Sequence, residues 1–169
     1  MGIRLKLVLA TNPCRISPYG LLDLSLLAQS IGMENVTFIE DFLEERDMPE
    51  LYRSADIYAT LSTSEGYCFS IMEAQACGLP IVAHDIPPLK EIYGDSFVPV
   101  KSEGVLYLPI GPVPTASVKD AVSKLRKMAL DEDLRKEYSK KSLKNAKRYD
   151  WNEYIGPRLE KTLIKILEP

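Results

Sequence analysis

Asp56–His84 reads DIYATLSTSEGYCFSIMEAQACGLPIVAH, and its punctuation decides the fold. DIYATL is short, apolar and rich in strand-forming side chains, then gives way to the polar run STSEG. SIMEAQAC is a short helical segment, stopped by Gly78 and Pro80, and PIVAH follows as another apolar strand. A strand, a helix and a second strand at this spacing form one right-handed βαβ crossover with parallel strands.

The same alternation extends to the N-terminal side. Ile3–Ala10 (IRLKLVLA) predicts a first strand that ends at the turn signal TNP. The stretch from Tyr19 to Met33 carries apolar residues at helical spacing, with Gly32 as its C-cap. NVTFI predicts a second strand, and ERDMPELYRSA a helix with Asp47 capping and Pro49 in the first turn. The result is a Rossmann-like, doubly wound parallel α/β sheet. Beyond it LKEIYGD predicts a short helix, SFVPV and VLYLPI short strands, and GPVPT a loop. A helical tail follows: Val118–Leu130, Asp133–Arg148, and a last helix through NEYIGPRLEKTLIKIL broken at Gly156-Pro157. The whole is expected to be one domain over residues 1–169, with the strand and helix core at about 3–110 and the tail at about 118–169.

Composition excludes several classes. At 46% hydrophobic and 27% charged the chain is ordinary for a globular protein, and no apolar run reaches the ~20 residues of a membrane span. The start is too short and too polar for a secretory signal. Cys14, Cys68 and Cys77 fit neither a disulfide framework nor a C-x-x-C metal pattern, so free thiols in a reducing cytoplasm are expected. The single histidine, His84, rules out a multi-histidine metal site and reads as structural. Tyr149 and Trp151 read as core anchors for the tail. No nucleophile elbow or Walker loop is present. Residues 1–118 hold seven Lys and Arg against fifteen Asp and Glu, and residues 119–169 hold fourteen against nine. The basic tail is either a solvated helical surface or a weak contact with an anionic membrane surface, and the acidic body argues against nucleic acid.

In open parallel sheets ligands lie beyond the carboxyl ends of the strands. TNPCR, IEDF, STSEGYCF and HDIPP leave those ends, and the third holds Glu65, with Glu73 in the helix behind it. A helix start offers unpaired N–H groups to anions such as phosphate, and Gly66 permits close backbone approach and unusual φ. A carboxylate accepts from two neighbouring hydroxyls, as on a sugar ring. A diphosphate flanked by sugars satisfies both. The same acids can also serve the helix dipole, or plain solvation, alone.

LYRSADIYATLSTSEGYCFSIMEAQACGLPIVAHDIPPLKEI resembles the donor-binding C-terminal domain of family 4 (group 1) glycosyltransferases, of the GT-B fold. The family's E-x7-E motif stands here as EGYCFSIME, and the later YDW is also similar; the likeness covers roughly residues 5–95 well and the tail loosely. The resemblance implies a retaining enzyme that moves a hexose from a nucleoside diphosphate sugar to an unknown acceptor, without metal or other cofactor. It implies that Glu73 binds the ribose hydroxyls and that Glu65 meets the transferred hexose as the catalytic group. Gly66, Tyr67, Cys68, Phe69 and Ser70 would face hexose and diphosphate, and Ile39 and Phe42 the base. Cys68 replaces a frequent glycine and reads as a small packing residue rather than a nucleophile. The family's Arg/Lys loop, which neutralises the diphosphate, is not found in the sequence, and Arg15 is the one cation in the edge segments before His84. The N-terminal acceptor domain is likewise expected to be absent, leaving a chain that is incomplete and inactive alone and that needs that domain or another chain as partner. A truncated interaction module and an epimerase-like GT-B protein are the rival readings.

Overall fold

The computed structural model describes residues 5–11, 14–17, 20–41, 43–109 and 111–167. Internal contacts divide the chain into two compact units, Met1–Glu44 and Glu45–Pro169, a boundary that falls inside the single domain expected from the sequence.

In the first unit, strand β1 (Leu7–Leu9), strands β2 (Cys14–Ser17) and β3 (Gly20–Asp23), helix α1 (Leu24–Ser30) and strand β4 (Val36–Phe38) follow in order. β1 and β4 pair in parallel, as the alternation predicts. β2 and β3 form an antiparallel hairpin. This corrects two expectations: Cys14 and Arg15 lie in a strand rather than a loop, and α1 begins at Leu24 rather than near Tyr19. Asp23 is the reason. Its carboxylate accepts from the N–H groups of Ser25 (2.9 Å) and Leu26 (3.0 Å), so the chain turns helical only after it. The helix ends as Gly32 permits: at φ +69° it lets Met33 N–H reach Ala28 O at 2.8 Å, a Schellman closure.

The second unit opens with α2 (Met48–Arg53), β5 (Tyr58–Thr60), α3 (Phe69–Ala76), β6 (Ile81–His84), α4 (Pro87–Tyr93) and β7 (Val98–Val100). Asp47 holds the N-cap position of α2, but its side chain makes no capping bond, against expectation. β5, β6 and β7 pair in that order, all parallel. β6 is buried along its whole length, and its side chains alternate between two cores. Ile81 and Ala83 join Ile71, Ala74, Leu89, Tyr93 and Phe97, whereas Val82 packs with Val98, Val100, Ala121 and Met128. Burial on both faces is what a doubly wound parallel sheet requires.

Strands β8 (Ser102–Leu108) and β9 (Gly111–Ala116) form an antiparallel ribbon, then α5 (Val118–Leu130) and α6 (Glu132–Lys147) follow. Gly111–Thr115, read as a loop for its prolines, is thus a strand. Pro112 and Pro114 stand two apart on a two-stranded ribbon, so their missing N–H groups fall on its open edge. A π-helical turn over Trp151–Ile155 leads into α7 (Gly156–Leu167), which takes Pro157 in its first turn, so the chain changes helix type there instead of breaking. Tyr149 is the anchor expected of it, its hydroxyl donating to Ile92 O at 3.0 Å. Trp151 is not; it is 62% exposed. Leu159, Leu163, Ile164, Ile166 and Leu167 of α7 are exposed as well. Among the described residues no helix is long and apolar enough to cross a membrane.

Candidate functional site

The loops that leave the carboxyl ends of the adjacent strands β5 and β6 meet on one edge of the sheet. His84 joins them from within. It is fully buried, its Nδ1–H donates to Ser62 O (2.9 Å), and its Nε2 lies 3.0 Å from Ser102 Oγ. Its role is to fix the loop before Glu65, as the structural reading expects. Tyr93 fixes the far side of that loop, its buried hydroxyl donating to the carbonyls of Tyr67 (2.7 Å) and Cys68 (3.0 Å). The Tyr67 ring packs against Phe69 at 4.8 Å and meets Tyr149 edge-on at 6.1 Å.

Helix α3 starts without a side-chain cap. Ile71 N–H is taken by Cys68 O, and the first two N–H groups, of Phe69 and Ser70, have no partner within the helix. The unusual backbone expected at Gly66 sits elsewhere. Gly66 has no positive φ, and a Cβ there would meet nothing within 4 Å. Cys68 instead adopts φ +58°, ψ +68°, the left-handed region. That accounts for the frequent glycine at this position: the constraint is on the backbone, not only on the space beside it.

Glu73 turns out exposed, not enclosed by its apolar neighbours. Ile71 and Ala74 of the same helix point into the core, and Glu73 occupies the outer side between them. Its Oε2 accepts from the Tyr52 hydroxyl at 2.7 Å. Glu65 is half-buried. Tyr58 donates to Ser70 Oγ at 2.8 Å, and Ser70 Oγ lies 3.5 Å from Cys68 Sγ. Burial, first, pushes the Tyr58 phenol up against the lowering effect of its bond to Ser70, and the nearby charges of Glu65 and Glu73 add to the rise. Burial also pushes the Cys68 thiol up, with Glu65 reinforcing it, which agrees with a packing residue and not a nucleophile.

The structure therefore gathers Glu65, Gly66, Tyr67, Cys68, Phe69, Ser70 and Glu73 on one edge, with Phe69 largely exposed. Ile39 lies in the first unit, directly after β4, where its N–H donates to Leu9 O. The Arg15 backbone is in β2, while its side chain, and all of Phe42, lie outside the described residues. Sequence reasoning missed Tyr52, Tyr58 and Tyr93. The signal was two tyrosines in LYRSADIY, whose meaning needs the α2–β5 and α3 packing to appear. Among the described residues no three His, Cys, Asp or Glu side chains assemble as metal ligands.

A hollow of about 520 Å³, lined by Arg53, Cys77, Gly78, Pro80, Arg135 and Lys140 among others, lies at the opposite ends of the same strands. It lacks a comparable convergence. Arg135, for one, is occupied by the carbonyls of Met128 and Ala129.

Comparison with known proteins shows the family of the chain and its fold. The D-inositol 3-phosphate glycosyltransferase of Saccharomonospora viridis is 30% identical over 143 residues, 85% of this chain and 30% of that protein. O-antigen chain mannosyltransferase B of Escherichia coli is 28% identical over 65% of this chain and 26% of its own length. The chain thus spans about a third or less of the curated relatives it matches. Among solved structures, the sucrose-phosphate synthase of Thermosynechococcus elongatus superposes with TM-score 0.69 at 15% identity, over 94% of this chain and 37% of that one. Anabaena HepE in complex with UDP and glucose gives 0.62 at 20% identity, over 84% and 35%. Both similarities are of fold. The sequence pattern of the group 1 glycosyl transferases matches residues 19–145, the greater part of the chain and the whole acidic edge. With that match the chain belongs to the group 1 glycosyl transferases, and its parallel sheet is that of the GT-B fold.

Proposed function

We propose that this chain binds the sugar nucleotide in a retaining glycosyltransferase, which moves a hexose from a nucleoside diphosphate sugar to an acceptor. The observation that carries the reading is the arrangement around α3. Glu65 in the loop and Glu73 in the helix, the latter held by the Tyr52 hydroxyl, flank a helix start that no side chain caps. Glu73, exposed and steadied by Tyr52, accepts from the ribose hydroxyls. Glu65 contacts the hexose near its anomeric carbon, where positive charge develops as the bond to the β-phosphate oxygen breaks. The N–H groups of Phe69 and Ser70 face the diphosphate. The acceptor oxygen bonds to the anomeric carbon on the face the diphosphate leaves, and the acceptor proton departs with the diphosphate. Positioning and charge stabilisation supply the catalysis. The acceptor side comes, in this reading, from residues outside these 169, on the same polypeptide or another. HepE, which its structure shows with UDP and glucose, supports the substrate class by its likeness in fold.

The test is thermal shift with UDP-, GDP- and ADP-sugars. One series should raise the melting temperature, and Glu73→Ala should abolish the rise. No shift with any of them, or an equal shift in Glu73→Ala, overturns the reading. No metal takes part, so chelation by EDTA should leave the affinity unchanged.

A further inference from the structure

We propose that Tyr52 is the positioning residue for the nucleotide's ribose: it clamps one oxygen of Glu73 so that the carboxylate presents a fixed edge to two neighbouring hydroxyls. The inference rests on the donor-binding reading and adds a residue to it.

Tyr52 is only 9% exposed, so its ring is locked in the core, 6.1 Å from the ring of Tyr58. Its hydroxyl is the one polar group it carries into that packing, and the hydroxyl reaches out to Glu73 Oε2 at 2.7 Å, across twenty-one positions of sequence. Glu73 itself stands on the exposed side of α3, where an unrestrained glutamate samples several rotamers. A buried donor that grips one carboxylate oxygen removes that freedom. Glu73 is exposed and only its Oε2 is held by Tyr52, so the carboxylate keeps acceptor capacity for two adjacent ring hydroxyls. Burial, with Glu73 beside it, pushes the Tyr52 phenol far above its usual range, so it donates at every working pH. Tyr58 makes the parallel bond to Ser70 on the same helix, so α2 and β5 each send one tyrosine to the donor edge of α3.

The test uses the 169-residue chain and calorimetric titration with UDP, GDP and ADP, then with the 2′,3′-dideoxy form of whichever binds. The unmodified chain should favour the ribose form by about ten- to a hundredfold, the range of hydrogen bonds to a charged group. Tyr52→Phe keeps the ring, and water can replace the phenol at the exposed carboxylate, so the variant should fold. It should lose about three- to tenfold in affinity for the ribose form, with the dideoxy affinity unchanged. In the Glu73→Ala background the same substitution should change nothing further. Tyr149→Phe, which loses a comparable hydroxyl bond to Ile92 O, should keep full ribose preference. A Tyr52→Phe chain that keeps the full preference overturns the inference alone, as does an equal loss for ribose and dideoxy forms, the mark of a merely structural role. A Glu73→Ala chain with undiminished affinity, or no nucleotide bound at all, overturns the donor reading and this inference with it.

Discussion

The two units of this chain use the same vocabulary and bury it differently. In the first, Leu7, Val8, Leu22, Leu26, Leu27 and Ile31 are all exposed, and none of the residues whose side chains are described there is buried. In the second, Ile71, Ile81, Val82, Leu89, Val100 and Met128 are wholly buried. Apolar spacing is as good in α1 as in α3. The difference lies in layers: β1 and β4 make a two-stranded sheet, whereas β6 has a strand on either side and helices over both faces. Two strands cannot enclose a core, and three strands between helices can. The candidate site draws its rigidity from the second arrangement, because Tyr52 and Tyr93, which hold Glu73 and the loop, are themselves core residues.

Core substitutions should separate the units most strongly. Leu89→Ala, in the second unit, should lose about 2–5 kcal/mol of unfolding free energy in urea titration. Leu26→Ala, in the first, should stay within about 0.5 kcal/mol, and a comparable loss there would mean that the first unit has a core after all. Next comes the buried amide pair that ties α3 to α6. Asn145 donates to Gln75 Oε1 at 2.9 Å, and Gln75 donates to Ser96 Oγ at 2.7 Å. Asn145→Ala strands that acceptor and should cost about 1–3 kcal/mol, while hydrogen exchange in the first unit stays unchanged.

The two units should also answer pH in opposite directions. Burial pushes the phenols of Tyr52, Tyr58 and Tyr93 up. Their ionisation is then easier in the unfolded chain, so the second unit loses stability as pH rises past about 10, the ordinary tyrosine value. In the first unit the Ser25 hydroxyl, with the Leu26 N–H, holds Asp23 below its ordinary value. That capping stabilisation is complete above the ordinary value and disappears as pH falls through the lower folded one, so α1 should fray in acid. Hydrogen exchange at both extremes, read separately over residues 20–31 and 69–100, checks both signs. The smallest effect is expected at Cys68. Cys68→Gly relieves a left-handed conformation but frees the unfolded chain, and should raise stability by up to about 1 kcal/mol. A clear loss would show that the thiol's contact with Ser70 outweighs the backbone.

Much of the second unit was legible before any coordinates. PIVAH reads as a strand from its apolar run and is one, over Ile81–His84, and α5 runs from Val118 to Leu130 as its spacing predicts. The misreadings fall where one residue overrules a pattern. Asp23 delays α1, two prolines sit on the open edge of β9 without breaking it, and Trp151, large and apolar, faces solvent.

By itself the sequence determined the parallel alternation, the family and the placing of Glu65 and Glu73 beside one helix start, because these depend on local order and spacing along the chain. The tertiary structure alone decided that Glu73 is exposed, that Cys68 and not Gly66 carries the left-handed turn, and that Tyr52 grips the carboxylate. Those depend on which residues from distant positions pack together, and periodicity along a chain holds no record of that.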